Sequence, residues 1–349
     1  MKKNLSAALL FLLAIFGSAA FLLFMPERFS SKPSSEEFYA LGTFIRFQAW
    51  GENAPEALEA ARISVQALEN RFSLFSPSSE VAILNSAAGL EERSFPEETL
   101  FLFSKALEYA KHTKGAFDPT IGPLTQLWGI GTAKEGVPSP EEIEKALDLV
   151  DYQNFQIFPE RGTAALPRKG QAVDLGAIAK GYAGDVVREV LEKHAISQAL
   201  IDMGGNIVTL GSKPGGSPWR IGIQNPLEPR GKYIGILSLS NASVVTSGNY
   251  ERYFEKDGKR YHHIFDPFTG YPASQELLSV TVISPSSLQA DALSTGLYVL
   301  GLSRGIQLAT DLEGVEALFV TSDRRVVGTS GTASIFTLTE GSFSLEIRR

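Results

Sequence analysis

The stretch Asp174-Leu175-Gly176-Ala177-Ile178-Ala179-Lys180-Gly181-Tyr182 is the most informative part of this chain. Residues 171–173 before it indicate the end of a strand, and the apolar spacing of residues 186–191 after it predicts a helix. Asp174 therefore lies near a helix N-terminus, with Lys180 inside the first two turns. Free N–H groups at a helix start, together with a lysine, favour a phosphate group. An N-capping aspartate and a surface lysine would give the same pattern, so the chemistry must be judged from further motifs.

The rest of the chain predicts an α+β fold with mixed or antiparallel sheets and flanking helices. The strand connections read as hairpins, which argues against a regular βαβ array. Helices are expected at residues 55–72, 81–87, 97–113, 140–149, 289–300 and 303–312. Strands are expected at residues 38–50, 199–202, 206–210, 219–224, 235–239, 243–246, 278–283, 317–321 and 335–338.

Composition excludes several classes of site. The net charge of −7 argues against a nucleic-acid-binding surface, which needs a basic excess. The chain has no cysteine, which excludes disulfides, thiolate metal sites and thiol nucleophiles. With only four histidines, a bound metal is expected to be a hard cation with oxygen ligands.

The N-terminus has the pattern of an export segment. Lys2 and Lys3 precede an apolar run over residues 5–25, which is about long enough to span a bilayer at ~20 residues. Small residues at 17–20 would suit a signal peptidase, but the apolar run continues beyond them, which favours an uncleaved anchor. Residues 1–25 are therefore expected to be a signal peptide or membrane anchor, residues 26–37 a Pro/Ser-rich linker and residues 38–349 one domain on the exported side.

Three further segments carry candidate site residues. Residues 115–124 place Asp118 in a turn fixed by glycine and proline, and residues 202–206 contain a Gly-Gly pair after a strand. Either one alone is an ordinary turn. Residues 247–272 are more specific, because they bring two adjacent histidines, His262 and His263, close to an aspartate turn. Neighbouring residues on a strand face opposite ways, so only one of these histidines can point into a given site.

A fourth segment, residues 290–295, predicts a cation site. Asp291, Ser294 and Thr295 are spaced so that their oxygens share one face of a helix. Oxygen ligands of this kind suit Mg²⁺, although an N-capping aspartate would be compatible with the same residues.

Taken together and in this order, from Leu41 to Thr295, these motifs resemble the FAD:protein FMN transferases of the ApbE family. The resemblance covers nearly all of the expected exported part and implies a single ApbE-like, T-fold-like catalytic domain. Two positions depart from the family pattern. Leu41-Gly42-Thr43 stands where Met-Gly-Thr is usual, and Phe268 stands where many members carry arginine. The effect of Phe268 on turnover is left open.

The resemblance implies a role for particular residues. His263 corresponds to the catalytic histidine of the family. Mg²⁺ would be held by the backbone carbonyl of Ala177 with Asp291 and Thr295, Ser294 assisting. The residues implied in binding FAD are Leu41, Phe75, Ala116, Phe117, Asp118, Asp174, Lys180 and Phe265.

The activity implied is the Mg²⁺-dependent transfer of FMN from FAD to a threonine hydroxyl of an acceptor protein, with release of AMP. Family acceptors are subunits of respiratory redox complexes, which fits an enzyme at the bacterial cytoplasmic (inner) membrane with its catalytic domain on the periplasmic side. Two alternatives stay open at this point: an FAD pyrophosphatase that gives FMN and AMP, and a flavin-binding protein without catalytic activity.

Overall fold

A nine-stranded sheet forms the centre of the fold in the computed structural model, which describes residues 32–74, 76–273 and 276–348. Seventeen strands are described: β1 Ser34–Ala40, β2 Thr43–Trp50, β3 Arg93–Ser94, β4 Gln156–Phe158, β5 Thr163–Ala165, β6 Gln198–Asp202, β7 Asn206–Leu210, β8 Trp219–Gln224, β9 Tyr233–Leu239, β10 Ser243–Gly248, β11 Tyr253–Lys256, β12 Lys259–His262, β13 Leu277–Ser284, β14 Glu316–Thr321, β15 Arg325–Gly328, β16 Phe336–Leu338 and β17 Ser344–Ile347. The large sheet has the order β1-β2-β6-β7-β10-β13-β14-β15-β17. Its neighbours pair antiparallel except β15 and β17, which are parallel.

Helices and three small sheets surround the large sheet. The small sheets are β16-β9-β8, β3-β5-β4 and the ribbon β11-β12. The helices of the described residues are α1 Ala54–Phe72, α2 Glu80–Ser86, α3 Glu97–His112, α4 Gly122–Trp128, α5 Pro140–Leu147, α6 Ala179–Lys193, α7 Ser287–Asp311 and α8 Thr332–Ile335. The expected α+β class is confirmed.

Two hydrophobic cores fix the layers. The larger core joins helices α1, α3, α6 and α7 to one face of the large sheet. On the opposite face, the apolar side of β8 and β9 packs against residues such as Val244, Ile283 and Leu318. A third, smaller cluster lies under α4 and α5, where Trp128 and Phe265 pack together. Both faces of the large sheet are therefore covered by other elements.

The first strand expectation is wrong in one respect. Residues 38–50 form a hairpin of two strands, β1 and β2, and β1 already begins at Ser34, inside the expected linker. The turn places Leu41 at φ +52° and Gly42 at φ +71°. A leucine is rare at positive φ, so the residue that reverses the chain does not look like a turn residue in the sequence.

The packing of α6 against α7 positions the residues of interest. A Cβ added at Gly181 would collide with the carbonyl oxygen of Ser287 and lie 2.5 Å from Cβ of Asp291. Asp185, one turn further along α6, accepts hydrogen bonds from the backbone N–H groups of Ser287 (2.7 Å) and Leu288 (3.0 Å) at the start of α7. Glycine thus permits the close approach, and Asp185 fixes its register.

The second half of α7 is interrupted at Gly301, which has φ +74° and ψ 176°. The sequence pattern predicts separate helices over residues 289–300 and 303–312, and the break lies between them. The apolar periodicity therefore locates the kink correctly, and glycine is the residue that adopts the required positive φ.

We expect Gly181→Ala to lower the free energy of unfolding by about 1–3 kcal/mol, because the new methyl group would push against the backbone of α7. Gly136→Ala is the matched control, since a Cβ at Gly136 meets nothing within 4 Å. Urea unfolding of both variants measures the difference. Equal stability of the two variants would contradict the close packing described here.

Candidate active site

Asp118 fastens the loop that follows α3. Its Oδ1 accepts hydrogen bonds from the backbone N–H (2.7 Å) and the hydroxyl (2.6 Å) of Thr120, and its Oδ2 accepts one from the N–H of Tyr152 (3.0 Å). Burial raises the pKa of this carboxyl, and these hydrogen bonds act in the opposite direction. The carboxylate is thus engaged within the protein, and the loop would reach a ligand through its backbone.

The Asp174 segment is tied to this same loop. The N–H of Asp174 donates to the carbonyl of Pro119 (2.8 Å), and Ile121 forms a parallel bridge with Ala172. The Asp174 side chain accepts a hydrogen bond from the N–H of Gly176 (2.8 Å). Two segments that are separate in the sequence therefore lie side by side and form one continuous wall.

The start of α6 faces a buried carboxylate on α7. The N–H of Gly181 donates to Oδ2 of Asp291 (2.7 Å), a side chain only 4% exposed. Gly181 is in the first turn of α6, where backbone N–H groups have no acceptor within the helix, so the carboxylate of Asp291 supplies one. Among the described residues, no backbone N–H outside the regular elements donates to the carbonyl of Ala177, which precedes the helix.

Opposing effects act on the pKa of Asp291, and burial is the largest of them. Loss of hydration raises the pKa of this carboxyl, whereas the positive charge of Lys180 and the N–H of Gly181 lower it. The side-chain amide of Asn206 contributes in the same sense, although its buried Nδ2 makes no hydrogen bond of normal geometry. An unpartnered polar atom next to a buried carboxylate is typical of a place where an ion or ligand completes the network.

Three hydroxyl groups extend this site. The hydroxyl of Ser294 donates to the backbone carbonyl of Asp291 (2.9 Å). Ser247, at the end of β10, lies 2.8 Å from Ser294 Oγ and 3.2 Å from Thr295 Oγ1. Ser294 is completely buried, while Thr295 keeps partial access to solvent.

The two adjacent histidines have different surroundings. His262 is completely buried, where its Nε2 bonds to the carbonyl of Ala273 (3.2 Å) and its Nδ1 accepts from the N–H of Ile264 (3.3 Å). Burial lowers the pKa of His262 to about 4, so the ring is neutral in the folded protein near neutral pH. His262 therefore supports the fold from the interior.

His263 is exposed and points the other way. Its Nδ1 lies 3.2 Å from the carbonyl of Arg252, and since a carbonyl only accepts, Nδ1 carries the proton and Nε2 the free lone pair. Crowding by the surrounding walls, together with the charges of Arg252 and Lys180, lowers the pKa of His263 below its ordinary value. A neutral, accessible imidazole is the form required of a general base.

Arg252 connects the histidine to the hairpin of β1 and β2. Its backbone carbonyl accepts from His263, and its Nη2 lies 3.4 Å from the carbonyl of Gly42. Gly204, with φ +67°, packs directly on the hydroxyl of Thr43. The Leu41 turn, the Gly-Gly turn and His263 thus converge, and Lys180 is close enough to influence the pKa of both His263 and Asp291.

The apolar residues implied in FAD binding lie in different parts of the structure. Ala116 and Phe117 are buried beside α7, and Phe265 packs on Trp128 in the third cluster. Phe75 lies outside the described residues. Phe268 is 56% exposed and borders Gly115, so its ring stands on the open side of the loop.

Sequence reasoning missed three participants. Ser247 and Arg252 occur in the motif of residues 247–272, and Asn206 ends the Gly-Gly segment, but none was assigned a role. Their contribution comes from hydrogen bonds between distant segments, which spacing within one segment does not reveal.

A separate cavity of about 290 Å³ lies away from these residues, beside β9, where Tyr233, Arg324 and Phe343 are among its lining. No residue of the predicted site lines it. The residues implied in the site lie elsewhere, where Lys180 is near enough to act on both His263 and Asp291.

The donor set around Asp291 fits a hard cation. No group of three or more His, Cys, Asp or Glu side chains that could hold a metal occurs in the described part of the chain. The residues that could hold a cation are instead the carboxylate of Asp291, the hydroxyl of Thr295 on the same helix and, as the resemblance implies, the backbone carbonyl of Ala177. Mg²⁺ is commonly bound by one or two carboxylates, with a phosphate-bearing substrate and water completing its shell.

The family model of the ApbE family matches residues 41–319. The chain belongs to the ApbE family. An ApbE-family protein of Treponema pallidum (strain Nichols), named FAD:protein FMN transferase, is 36% identical, with 88% of this chain and 89% of the relative covered. A protein of the same name from Klebsiella pneumoniae (strain 342) is 41% identical, over 71% of this chain and 77% of the relative.

Solved structures of ApbE proteins share the fold. The crystal structure of the ApbE protein from Thermotoga maritima has a TM-score of 0.81 at 34% identity, and 87% of this chain and 99% of that chain are covered. Flavin transferase ApbE from Vibrio cholerae has a TM-score of 0.75 at 28% identity, covering 89% and 98%. The expected membership of this family and the ApbE-like fold are both confirmed.

We expect the buried His262 to make stability depend on pH. Its folded-state pKa of about 4 is below the ordinary 6.5, so the unfolded chain takes up the proton first as the pH falls. The stabilisation is present above pH 6.5 and is lost as the pH falls through about 4. From pH 7 to pH 5 the protein would lose about 2 kcal/mol more than a His262→Gln variant. Urea unfolding at several pH values gives the free energy of unfolding of each protein as a function of pH. Parallel curves for the unmodified protein and His262→Gln would contradict the low pKa of His262.

Proposed function

We propose that this protein transfers FMN from FAD to a threonine hydroxyl of an acceptor protein. The relatives that this chain matches over most of their length carry the name FAD:protein FMN transferase. The observation that carries the proposal is the convergence of exposed His263, Lys180 and buried Asp291 on one cleft. The domain assigned to this activity is residues 38–349.

The wall of the cleft supports binding of a pyrophosphate. Lys180 supplies a positive charge, and the Asp118 and Asp174 loops present backbone groups held in place by their own carboxylates. A lysine beside a phosphate makes a charge-assisted contact. FAD would lie along this wall near Leu41, Ala116 and Phe117, with Phe75 and Phe265 as further candidates.

Asp291, Thr295 and the carbonyl of Ala177 would hold Mg²⁺, with Ser294 supporting them from behind. When bound, Mg²⁺ supplies neutralisation of the negative charge that the pyrophosphate oxygens carry. The buried Nδ2 of Asn206, which makes no hydrogen bond of normal geometry, supports a ligand at this position.

His263 would act as the base through Nε2. The acceptor threonine oxygen forms a bond to the FMN-side phosphorus as the bond between that phosphorus and the AMP oxygen breaks. The hydroxyl proton moves to Nε2, and AMP leaves with the electron pair. Because Nδ1–H is held by the carbonyl of Arg252, the ring is oriented before the acceptor arrives. The products are a phosphoester-linked flavoprotein and AMP.

We expect His263→Ala to reduce FMN transfer by about 10²- to 10⁴-fold while FAD binding is retained, because only the proton acceptor is removed. The assay incubates protein, FAD and Mg²⁺ with a purified acceptor that carries an Asp-x-x-(Ser/Thr)-(Gly/Ser/Ala)-Ala-Thr motif, and follows the acceptor by intact mass. His112→Ala is the control, since His112 is an exposed histidine at the end of α3.

Two results would count against this proposal. Normal transfer by His263→Ala would exclude His263 as the base. Release of AMP from FAD at equal rates with and without the acceptor, and no gain in acceptor mass, would favour the alternative FAD pyrophosphatase.

We also propose that residues 1–25 anchor the protein to the bacterial cytoplasmic membrane, with the catalytic domain on the periplasmic side and an acceptor subunit of a respiratory redox complex as its partner. Residues 1–25 lie outside the described residues, and no helix in the described part is long and apolar enough to cross a membrane. The support is the sequence pattern of two lysines before an apolar run.

Cell fractionation followed by N-terminal sequencing tests the anchor. We expect the protein in the membrane fraction with its apolar run intact, since that run is about long enough to span at ~20 residues. A soluble periplasmic protein that begins after Ala20 would show a cleaved signal peptide and contradict the anchor.

A further inference from the structure

Ser247 links the large sheet to the helix that carries the proposed cation ligands. It lies near the end of β10, and its Oγ is 2.8 Å from Ser294 Oγ and 3.2 Å from Thr295 Oγ1 on α7. Three hydroxyl groups this close must share their protons in a defined order, because each hydroxyl donates only one.

The carbonyl of Asp291 fixes that order. Ser294 Oγ lies 2.9 Å from this carbonyl, which can only accept, so the single proton of Ser294 is committed there. Ser247 must then donate to Ser294. With its own proton used, Ser247 can only accept from Thr295. The protons therefore run from Thr295 to Ser247, from Ser247 to Ser294, and from Ser294 to the carbonyl.

This order determines what the Thr295 hydroxyl offers to a ligand. Within the described residues, Ser247 is the hydrogen-bond partner of that hydroxyl. With its proton directed to Ser247, the lone pairs of Thr295 Oγ1 point away from β10. Ser294, in contrast, is completely buried and already both donates and accepts. Thr295 is thus the hydroxyl prepared to bind a cation, and Ser294 is the support.

We propose that Ser247 is a positioning residue for the divalent cation: it orients the Thr295 hydroxyl so that its oxygen lone pairs face the cation held by Asp291. This inference rests on the proposed Mg²⁺ site. Residues that orient a metal ligand typically change metal affinity by about 10- to 100-fold when removed. Ser247 itself touches neither the cation nor the flavin in this arrangement.

The neighbouring Thr246 provides a matched control. Its hydroxyl lies on the opposite face of β10 and bonds to the hydroxyl of Thr281 on β13 (2.8 Å). Thr246→Val removes a hydroxyl–hydroxyl bond of the same length from the same strand without touching the proposed site. Any general effect of losing such a bond is therefore measured separately.

Calorimetric titration with MgCl₂ in the presence of saturating FAD and no acceptor tests the inference. We expect Ser247→Ala to weaken Mg²⁺ binding about tenfold. Ser247→Thr, which keeps the hydroxyl, would bind close to the level of the unmodified protein, and Thr246→Val would be unaffected. Asp291→Ala, which removes the carboxylate ligand, would show no measurable binding.

The pattern of results separates the inference from the function on which it rests. Unchanged affinity in Ser247→Ala, combined with loss of binding in Asp291→Ala, would overturn the role of Ser247 and leave the cation site standing. Full affinity in Asp291→Ala would overturn the site and the inference together. Equal weakening in Ser247→Ala and Thr246→Val would also overturn the inference, because the effect would then belong to the strand.

Discussion

The hydrogen bond from the N–H of Gly181 to the carboxylate of Asp291 is the contact on which the site depends. It requires α6 and α7 to approach more closely than any residue with a Cβ allows. It places a helix N-terminus, with its partial positive charge, against a buried carboxylate. One close contact therefore gives the buried carboxylate a hydrogen-bond donor and satisfies an N–H of the first helical turn that has no acceptor within its own helix.

Electrostatics explain why this arrangement suits a phosphate-bearing substrate. The charge of Lys180 acts on both Asp291 and His263: it opposes the rise that burial causes in the pKa of Asp291, and it adds to the lowering of the pKa of His263. The cleft combines that cation with one buried carboxylate and neutral oxygens. Such a donor set is poor for binding Mg²⁺ alone, and a pyrophosphate would supply the missing negative oxygens. Metal and flavin are thus expected to bind best in each other's presence.

The sequence predicts the regular elements better than the connections between them. The bounds of β7 and β8 were predicted correctly, β8 from its alternation, and the break at Gly301 follows from the helical pattern. The hairpin turn at Leu41 was not predicted, because leucine there adopts a conformation that its identity does not suggest. The polar outer face of an edge strand likewise made residues 34–37 resemble a linker.

Residue type alone predicts the role of a side chain in the site less well than it predicts the helices and strands. Asp118 has the chemistry of a ligand-binding carboxylate, yet its oxygens are engaged by Thr120 and Tyr152. Alternation on the strand correctly separates the surroundings of His262 and His263, since one is buried and the other exposed. Ser247 could not be recognised, because its role depends on hydroxyl groups that lie 47 and 48 positions away.

The contact between Arg252 and the hairpin turn has a consequence for how the protein is made. It joins residues that are 210 positions apart, and the bond between Gly181 and Asp291 joins residues 110 apart. No fragment that ends before α7 contains the carboxylate, and none that lacks β2 can complete the wall behind His263. A growing chain thus lacks the Asp291 carboxylate until six of the nine strands of the large sheet have been synthesised. The residues of the proposed site therefore come together late, after the chain has been made through α7.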